Sequence, residues 1–384
     1  MKIYNLYLVL YLLSFFSTKS ICQTPAVNQI SEYIDIISKK KIAVVVNQSS
    51  LIDGTHIVDS LLSLNIDIKY VFTPEHGLNG NYDAGEEVEN SLYRNIPVIS
   101  LYGNKKHIED SFFEFFDIVL FDLQDVGVRF YTYISTLHHV MESCAKNKTQ
   151  LVVFDRPNPH LQYIDGPVLD IKYKSFVGMH PVPVVYGMTI GEYSKMINGQ
   201  KWLNSGLVCD LIVIKIKNYK RSDIKEYNVP PSPNLTNLNS ILLYPSLCFF
   251  EGTIISVGRG TDFPFQIYGA PFFNTNFIFK PSPNFGSKYP KYNGQLCYGY
   301  DLSNYNVSKA FVDKIDLNFL INAFRQTPVK QQKDFFNSFF DRLAGNGDLK
   351  DKIIEGWDED RIRKSWESDL DKFNLIRKKY LMYD

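Results

Sequence analysis

Between residues 42 and 216 the chain alternates short β-branched runs with stretches of helical periodicity. Ile42-Ala43-Val44-Val45-Val46 is apolar throughout, the pattern of a strand buried on both faces. Ile57, Leu61, Leu62 and Leu64 then recur at helical spacing. Further strands are predicted over Ile66–Phe72, Pro97–Leu101, Ile118–Phe121 and Leu151–Phe154, with a helix from about Thr132 to Lys146. A helix near Ile190–Leu203 and a strand over Leu211–Ile216 extend the unit. Strands alternating with helices predict an α/β fold, with a parallel sheet covered on both faces.

The run Val229-Pro230-Pro231-Ser232-Pro233-Asn234 interrupts this pattern, because proline disfavours helix interiors and central strands alike. It marks the expected boundary between a larger unit, residues 23–230, and a smaller one, residues 231–384. Residues 240–300 are rich in Gly, Pro and aromatics in short runs, which predicts irregular β structure. From about Val307 the pattern turns helical. Trp357, Ile362, Trp366, Leu370 and Phe373 form an apolar stripe at helical spacing, read as a docking face.

Residues 1–22 read as a secretory signal, with Lys2 as the positive end and Ile3–Ser17 as an uncharged run. That run falls short of the roughly 20 residues needed to cross a bilayer, so no stable membrane span is expected after cleavage. Cleavage is expected near Cys22. Lipid anchoring through Cys22 is the weaker reading, since Lys19-Ser20-Ile21 is a poor approach to a lipidated cysteine. The expected location is therefore exported, periplasmic or secreted. The 384 residues carry 41 Lys+Arg and 41 Asp+Glu, and loss of Lys2 and Lys19 leaves a net charge of −2. Such a balance exerts no long-range pull on nucleic acid or anionic membrane. Cys144, Cys209, Cys248 and Cys297 are widely spaced with no C-x-x-C, so buried free thiols are expected rather than a zinc knuckle or redox motif.

Polar residues gather after the strands. Asn47-Gln48 follows the first, and Thr73-Pro74-Glu75-His76-Gly77 the second, leading on to Glu86, Glu87 and Glu89. Tyr102-Gly103 ends the third. The fourth runs into Asp122-Leu123-Gln124-Asp125-Val126-Gly127-Val128-Arg129-Phe130-Tyr131, and the fifth into Asp155-Arg156-Pro157-Asn158-Pro159. In a parallel sheet these carboxyl ends share one edge, where open α/β sheets bind ligands. Any one loop reads equally well as a turn or helix cap; the five together predict a site.

Its chemistry is narrowed by what is missing. No G-x-G-x-x-G follows the first strand and no G-x-x-x-x-G-K-[ST] occurs, so no nucleotide cofactor is expected. The absence of G-x-S-x-G removes a nucleophile elbow. H-E-x-x-H is absent, and His138 and His139, adjacent on a helix, point about 100° apart and cannot pair as metal ligands. A metal on His76, Asp122 and Asp125 stays a minor alternative to a metal-free site. What remains is carboxylate chemistry. Glu75, Glu86, Asp122, Asp125 and Asp155 can supply the acids that glycoside cleavage needs. Glu75, between an apolar strand and a His-Gly turn, sits where partial burial favours a protonated carboxyl; the alternative is an ion pair with Arg129 or Arg156. Tyr131 and Tyr133 beside Arg129 suit sugar rings and an acidic substituent.

These strings resemble the NamZ exo-β-N-acetylmuramidases. The resemblance rests on Phe72–Gly77, Ala84-Gly85-Glu86, Phe121–Tyr133, Asp155–Pro159, Ser175–Met179, Pro231–Asn234, Glu251-Gly252-Thr253, Gly258–Thr261, Tyr292–Cys297 and Phe340–Gly345, and so covers nearly the whole mature chain. It implies a Rossmann-like N-terminal domain and a smaller α+β C-terminal domain completing a cleft. The implied reaction is exo-acting release of β-1,4-linked N-acetylmuramic acid from the non-reducing end of peptidoglycan-derived muropeptides or disaccharides, without a cofactor. Glu75 matches the family's catalytic glutamate and is expected as general acid. Asp125, Glu86 or Asp122 is expected to assist as base, as nucleophile, or by orienting the 2-acetamido group. Arg129, Arg156 or Arg259 would meet the lactyl carboxylate. Asn47, His76, Tyr131, Tyr133, Asp155, Asn158 and Glu251 complete the expected substrate contacts. His160-Leu161-Gln162 departs from the glycines common in relatives, at the rim of the fifth loop. A non-catalytic muropeptide-binding protein and a metal-assisted hydrolase are the rival readings.

Overall fold

The apolar runs become strands because each finds a covered face. In the computed structural model, which describes residues 23–83, 85–223, 227–305 and 314–384, twelve strands form: β1 (Lys41–Val46), β2 (Leu51–Ile52), β3 (Thr55–His56), β4 (Asp67–Thr73), β5 (Ser91–Tyr93), β6 (Ile96–Ser100), β7 (Ile118–Asp122), β8 (Gln150–Phe154), β9 (Leu211–Ile214), β10 (Ile267–Ala270), β11 (Phe277–Phe279) and β12 (Cys297–Asp301). Seven of them make one sheet in the order β5-β6-β4-β1-β7-β8-β9. The six from β6 to β9 run parallel, and β5 pairs antiparallel with β6 at the edge. Counted in chain order, the parallel strands lie 3-2-1-4-5-6, the doubly wound arrangement. The expected signal sequence, Cys22, Ala84 and the expected helical onset at Val307 lie outside the described residues.

Strand β1 shows how the faces divide. Ile42, Val44 and Val46 pack with α1 (Ile30–Ile37) and α2 (Ile57–Ser63), while Ala43 and Val45 face α3 (Tyr133–Lys146) and α4 (Ile190–Gly199). Period-2 alternation sends successive side chains to opposite faces, so a strand buried on both must be apolar throughout. The α3/α4 core runs on without a break into the rest of the chain, where Leu243, Phe249, Phe250, Phe340 and Leu343 join it. There β10-β12-β11 form a small antiparallel sheet, accompanied by helices including residues 318–326, 340–344, 348–354, 359–364 and 367–377. Residues 382–384 return to the large sheet. Tyr383 donates to Asp155 at 2.5 Å, the Met382 N–H donates to Glu192 at 2.7 Å, and the Asp384 carbonyl accepts from Arg221 at 2.9 Å.

Two expectations change. The span 240–300 is not all irregular β structure: it opens inside a helix, α5 (Leu238–Leu247), which Asn237 and Ser240 start with a reciprocal capping box. Pro245 lies within this helix, and the chain continues from it as the tighter turn Cys248–Gly252. The Trp357–Phe373 stripe is split between two helices, 359–364 and 367–377, and Ile362, Trp366 and Phe373 are its buried members. The four described cysteines are buried and free. Among the described residues no helix is long and apolar enough to cross a membrane.

Candidate functional site

Strand β4 ends at Thr73, and the chain reverses through His76 and Gly77, both with φ of 73°. At Gly77 an added Cβ would lie 2.9 Å from the Tyr82 ring, so this reversal needs glycine for space as well as conformation. The turn sends Glu75 into a cavity of about 360 Å³, a volume suited to a small ligand. Tyr102 after β6, Phe130–Tyr133 ahead of α3, and Phe176 line one side. Tyr244, Cys248, Glu251, Arg259 and Phe265, from the part of the chain beyond the proline run, line the other.

Glu75 is buried but well held. The Thr132 hydroxyl donates to Oε2 at 2.7 Å and the Gly85 N–H to Oε1 at 3.1 Å. Tyr102 also hydrogen-bonds this carboxylate, and burial pushes the phenol well above its ordinary range. Beside it, His76 Nδ1 lies 2.8 Å from the Tyr82 carbonyl. Burial pulls the His76 ring below the usual histidine range, against the opposing pull of Glu75. Across the cavity Glu251 accepts from Arg259 Nε at 3.1 Å, and the guanidinium lies 5.0 Å above the Phe265 ring. Burial would raise the Glu251 carboxyl, but Arg259 and Lys291 outweigh it and hold it ionised. Lys291 is itself fixed, donating to the carbonyls of Phe250 at 2.9 Å and Thr253 at 2.6 Å.

Of the residues singled out in the sequence, Glu75, His76, Tyr131, Tyr133, Glu251 and Arg259 come together in this cavity. The two tyrosines present ring surface only, since their hydroxyls donate to the Pro231 carbonyl at 2.8 and 3.3 Å. The others lie away from the lining, each engaged with partners of its own. Arg129 is fully buried, and its two terminal nitrogens donate to four carbonyls, of Pro167, Val182, Leu343 and Ala344; Nε has no hydrogen-bond partner among the described residues but is buried, and the residue does not line the cavity. Arg156 grips Asp122 through two bonds of 2.6 and 2.5 Å. Asp125 accepts from the Gly127 N–H at 2.8 Å and from Tyr186, and burial pushes its carboxyl up to about 6. Asp155 accepts from Thr189, Gly191 and Tyr383, and burial raises it to about 7. Asn158 bonds the Met188 carbonyl and the His160 N–H, while Asn47 donates to the Tyr133 hydroxyl. Glu86 pairs with Lys288 and caps the Asp83 N–H. Most of their polar atoms are paired within the protein, as polar groups buried next to a sheet edge need to be, although Arg129 Nε and Asp125 Oδ1 have no partner among the described residues.

Tyr102, Thr132, Phe176 and Tyr244 line the cavity without having been singled out. Tyr102 and Thr132 carried the available signal, one directly after a strand and the other directly after the longest polar string. Phe176 and Tyr244 resemble core residues in sequence.

The family described as Exo-beta-N-acetylmuramidase NamZ, N-terminal, matches residues 42–239, and its C-terminal counterpart matches residues 242–383. The chain is 36% identical over 383 residues to the peptidoglycan beta-N-acetylmuramidase NamZ of Bacillus subtilis (strain 168), across 94% of this chain and 91% of that protein. Two crystal structures of DUF1343 family proteins from Bacteroides fragilis NCTC 9343 are similar, each over 94% of this chain and 99% of the other. One has a TM-score of 0.86 at 39% identity. The other, at 0.80 and 24% identity, is a likeness of fold alone.

Proposed function

Because the chain belongs to the NamZ exo-β-N-acetylmuramidase family along both its halves, we propose that it is a glycoside hydrolase releasing β-1,4-linked N-acetylmuramic acid from the non-reducing end of peptidoglycan fragments. The observation that carries the chemistry is Glu75, a carboxylate inside the cavity with no cationic side chain bonded to it among the described residues. Its Oε1 accepts the Gly85 N–H, which can only donate, and this favours Oε2 as the oxygen that delivers the proton when the group acts as acid. There the Thr132 hydroxyl, which can rotate to accept, is the resting partner that the glycosidic oxygen replaces.

Arg259 meets the lactyl carboxylate in this reading, with Glu251 fixing the direction of the guanidinium. Asp122, Asp125 and Glu86 are engaged outside the cavity and Glu251 is held by Arg259, which favours the substrate's own 2-acetamido oxygen as the group that attacks the anomeric carbon, as in substrate-assisted glycosidases. We place the protein outside the cytoplasmic membrane, where such a substrate lies and to which residues 1–22 would direct it.

The test is incubation with N-acetylmuramyl-N-acetylglucosamine, with free N-acetylmuramic acid followed by mass. Glu75→Gln should lower release by about 10²–10⁴-fold with folding and disaccharide binding retained. Near-normal release by that variant removes Glu75 from the role. Binding without any release by the native protein would make it a muropeptide-binding protein instead.

A further inference from the structure

Behind the Phe176 wall lies a second cluster that the glycosidic chemistry does not use. His107, His139 and Glu142 each bring a ligand atom to within 4.8 Å of one another. His139 and Glu142 are three residues apart on α3 and so share a face. His107 arrives from the loop after β6, with Nδ1 3.8 Å from Glu142 Oε2 and its ring 4.3 Å from that of His139. The adjacent pair His138-His139 offers no chelate, as the sequence indicates. His107, far upstream, supplies the third group.

Two features of the cluster are unbalanced. Glu142 is buried, and its ionisable partners among the described residues are histidines only, His107 and His138 at 3.8 and 3.9 Å. A buried carboxylate without a cation is costly. His139 Nδ1 is buried and, among the described residues, has no hydrogen-bond partner. Both imbalances would be relieved by one bound cation. We propose that His107, His139 and Glu142 bind a divalent metal of the zinc class, as three protein ligands with a fourth position left to water.

The donor set suits such an ion: two imidazoles and one carboxylate, with tetrahedral bonds of about 2.0–2.2 Å that set the ligand atoms about 3.4 Å apart. The His107 side chain is half exposed, at 50%, and stands on a loop, so the small contraction falls on the group freest to make it. The carboxylate is oriented from behind, because its Oε1 accepts the Asn204 N–H at 3.0 Å. Lys106 and Lys174 stand close enough to act on His139. Their charge opposes a dication, which makes this a site filled from the surroundings rather than a locked structural zinc.

Its consequence is mechanical. Phe176 stacks on His139 at 6.0 Å, packs edge-on to Tyr102 at 5.7 Å, and lines the Glu75 cavity. A metal here ties the loop that bears Tyr102 to α3 and braces that wall without entering the cavity.

Untagged full-length mature protein, stripped by chelator, is titrated with Zn²⁺ in a calorimeter, and with Co²⁺ while its visible spectrum is recorded. One Zn²⁺ per chain, a raised Tm and the intense bands of tetrahedral Co²⁺ are expected. His107→Ala, at a side chain exposed enough to spare the fold, and the isosteric Glu142→Gln should each weaken Zn²⁺ binding by about tenfold or more. Absence of binding heat, or unchanged affinity in either variant, overturns the proposal. Neither outcome bears on Glu75, whose assay reads sugar release.

Discussion

Replacing Arg129 by methionine should damage the fold and leave substrate recognition alone. The guanidinium donates to the carbonyls of Pro167, Val182 and Leu343 at 2.8 Å and of Ala344 at 2.7 Å, and so pins the helix at 340–344 to the sheet half of the molecule. Burial draws its pKa down to about 9, still charged at neutral pH. A hydrogen bond from a charged donor contributes about 1.5–3 kcal/mol, and an orphaned buried carbonyl costs about 1–3 kcal/mol. Four such losses are offset by the desolvation cost of a buried guanidinium, several kcal/mol, which methionine escapes. A net loss of about 3–6 kcal/mol remains, a large part of the about 5–15 kcal/mol that holds a domain folded. At about 2–4 °C per kcal/mol, calorimetry should record a Tm lower by about 6–24 °C, while the folded fraction keeps its KM. A Tm within about 2 °C of the native value, together with a raised KM, would refute this assignment and return Arg129 to the substrate.

Arg259→Lys should raise KM for N-acetylmuramyl substrates about tenfold or more, from loss of a fork-shaped contact of about 1.5–3 kcal/mol, with kcat little changed. The same kinetics on an analogue lacking the lactyl group should show no such effect. If the acetamido group is the internal nucleophile, the first-formed sugar keeps the β configuration, which early-time NMR reads directly; an initially inverted product excludes it. Asp125 has a folded pKa near 6 against an unfolded value of about 3.9. The folded state therefore binds its proton more tightly, and the stability it contributes is complete below about pH 4 and lost as pH rises through about 6. Urea midpoints of native protein and Asp125→Asn should thus diverge between these limits by an amount on the order of 3 kcal/mol, and parallel curves would contradict it. Gly127→Ala should destabilise by about 3 kcal/mol or more, since a Cβ there would lie 2.0 Å from Asn158 on a backbone with φ of 77°.

The strands of the large sheet were legible because a strand covered on both faces leaves the same apolar run wherever it occurs. Ile42–Val46 and Ile118–Phe121 needed no partner to be recognised. The edge strand Ser91-Leu92-Tyr93 was not legible, for its residues are largely exposed and follow no buried alternation. The helix at Leu238–Leu247 was hidden by Pro245 and by aromatic neighbours, while the Asn237/Ser240 cap that starts it is a local signal of ordinary polar residues. The site was legible as an edge but not as a set of roles. Arg129 and Arg156 differ from Arg259 only in what comes near them. Arg129 meets carbonyls as far away as Ala344, and Arg156 meets Asp122 across two strands. Such distances leave no trace in local pattern, so three arginines of equal promise in sequence became two braces and one candidate ligand.

The stitching of residues 382–384 to Asp155, Glu192 and Arg221 bears on the order of assembly. These positions leave the ribosome after all the other residues described, and domains fold as units during or after synthesis. Asp155, fully buried in the finished molecule, keeps an open side until Tyr383 arrives. Closure of the Asp155 pocket therefore waits on a residue 228 positions further along the chain.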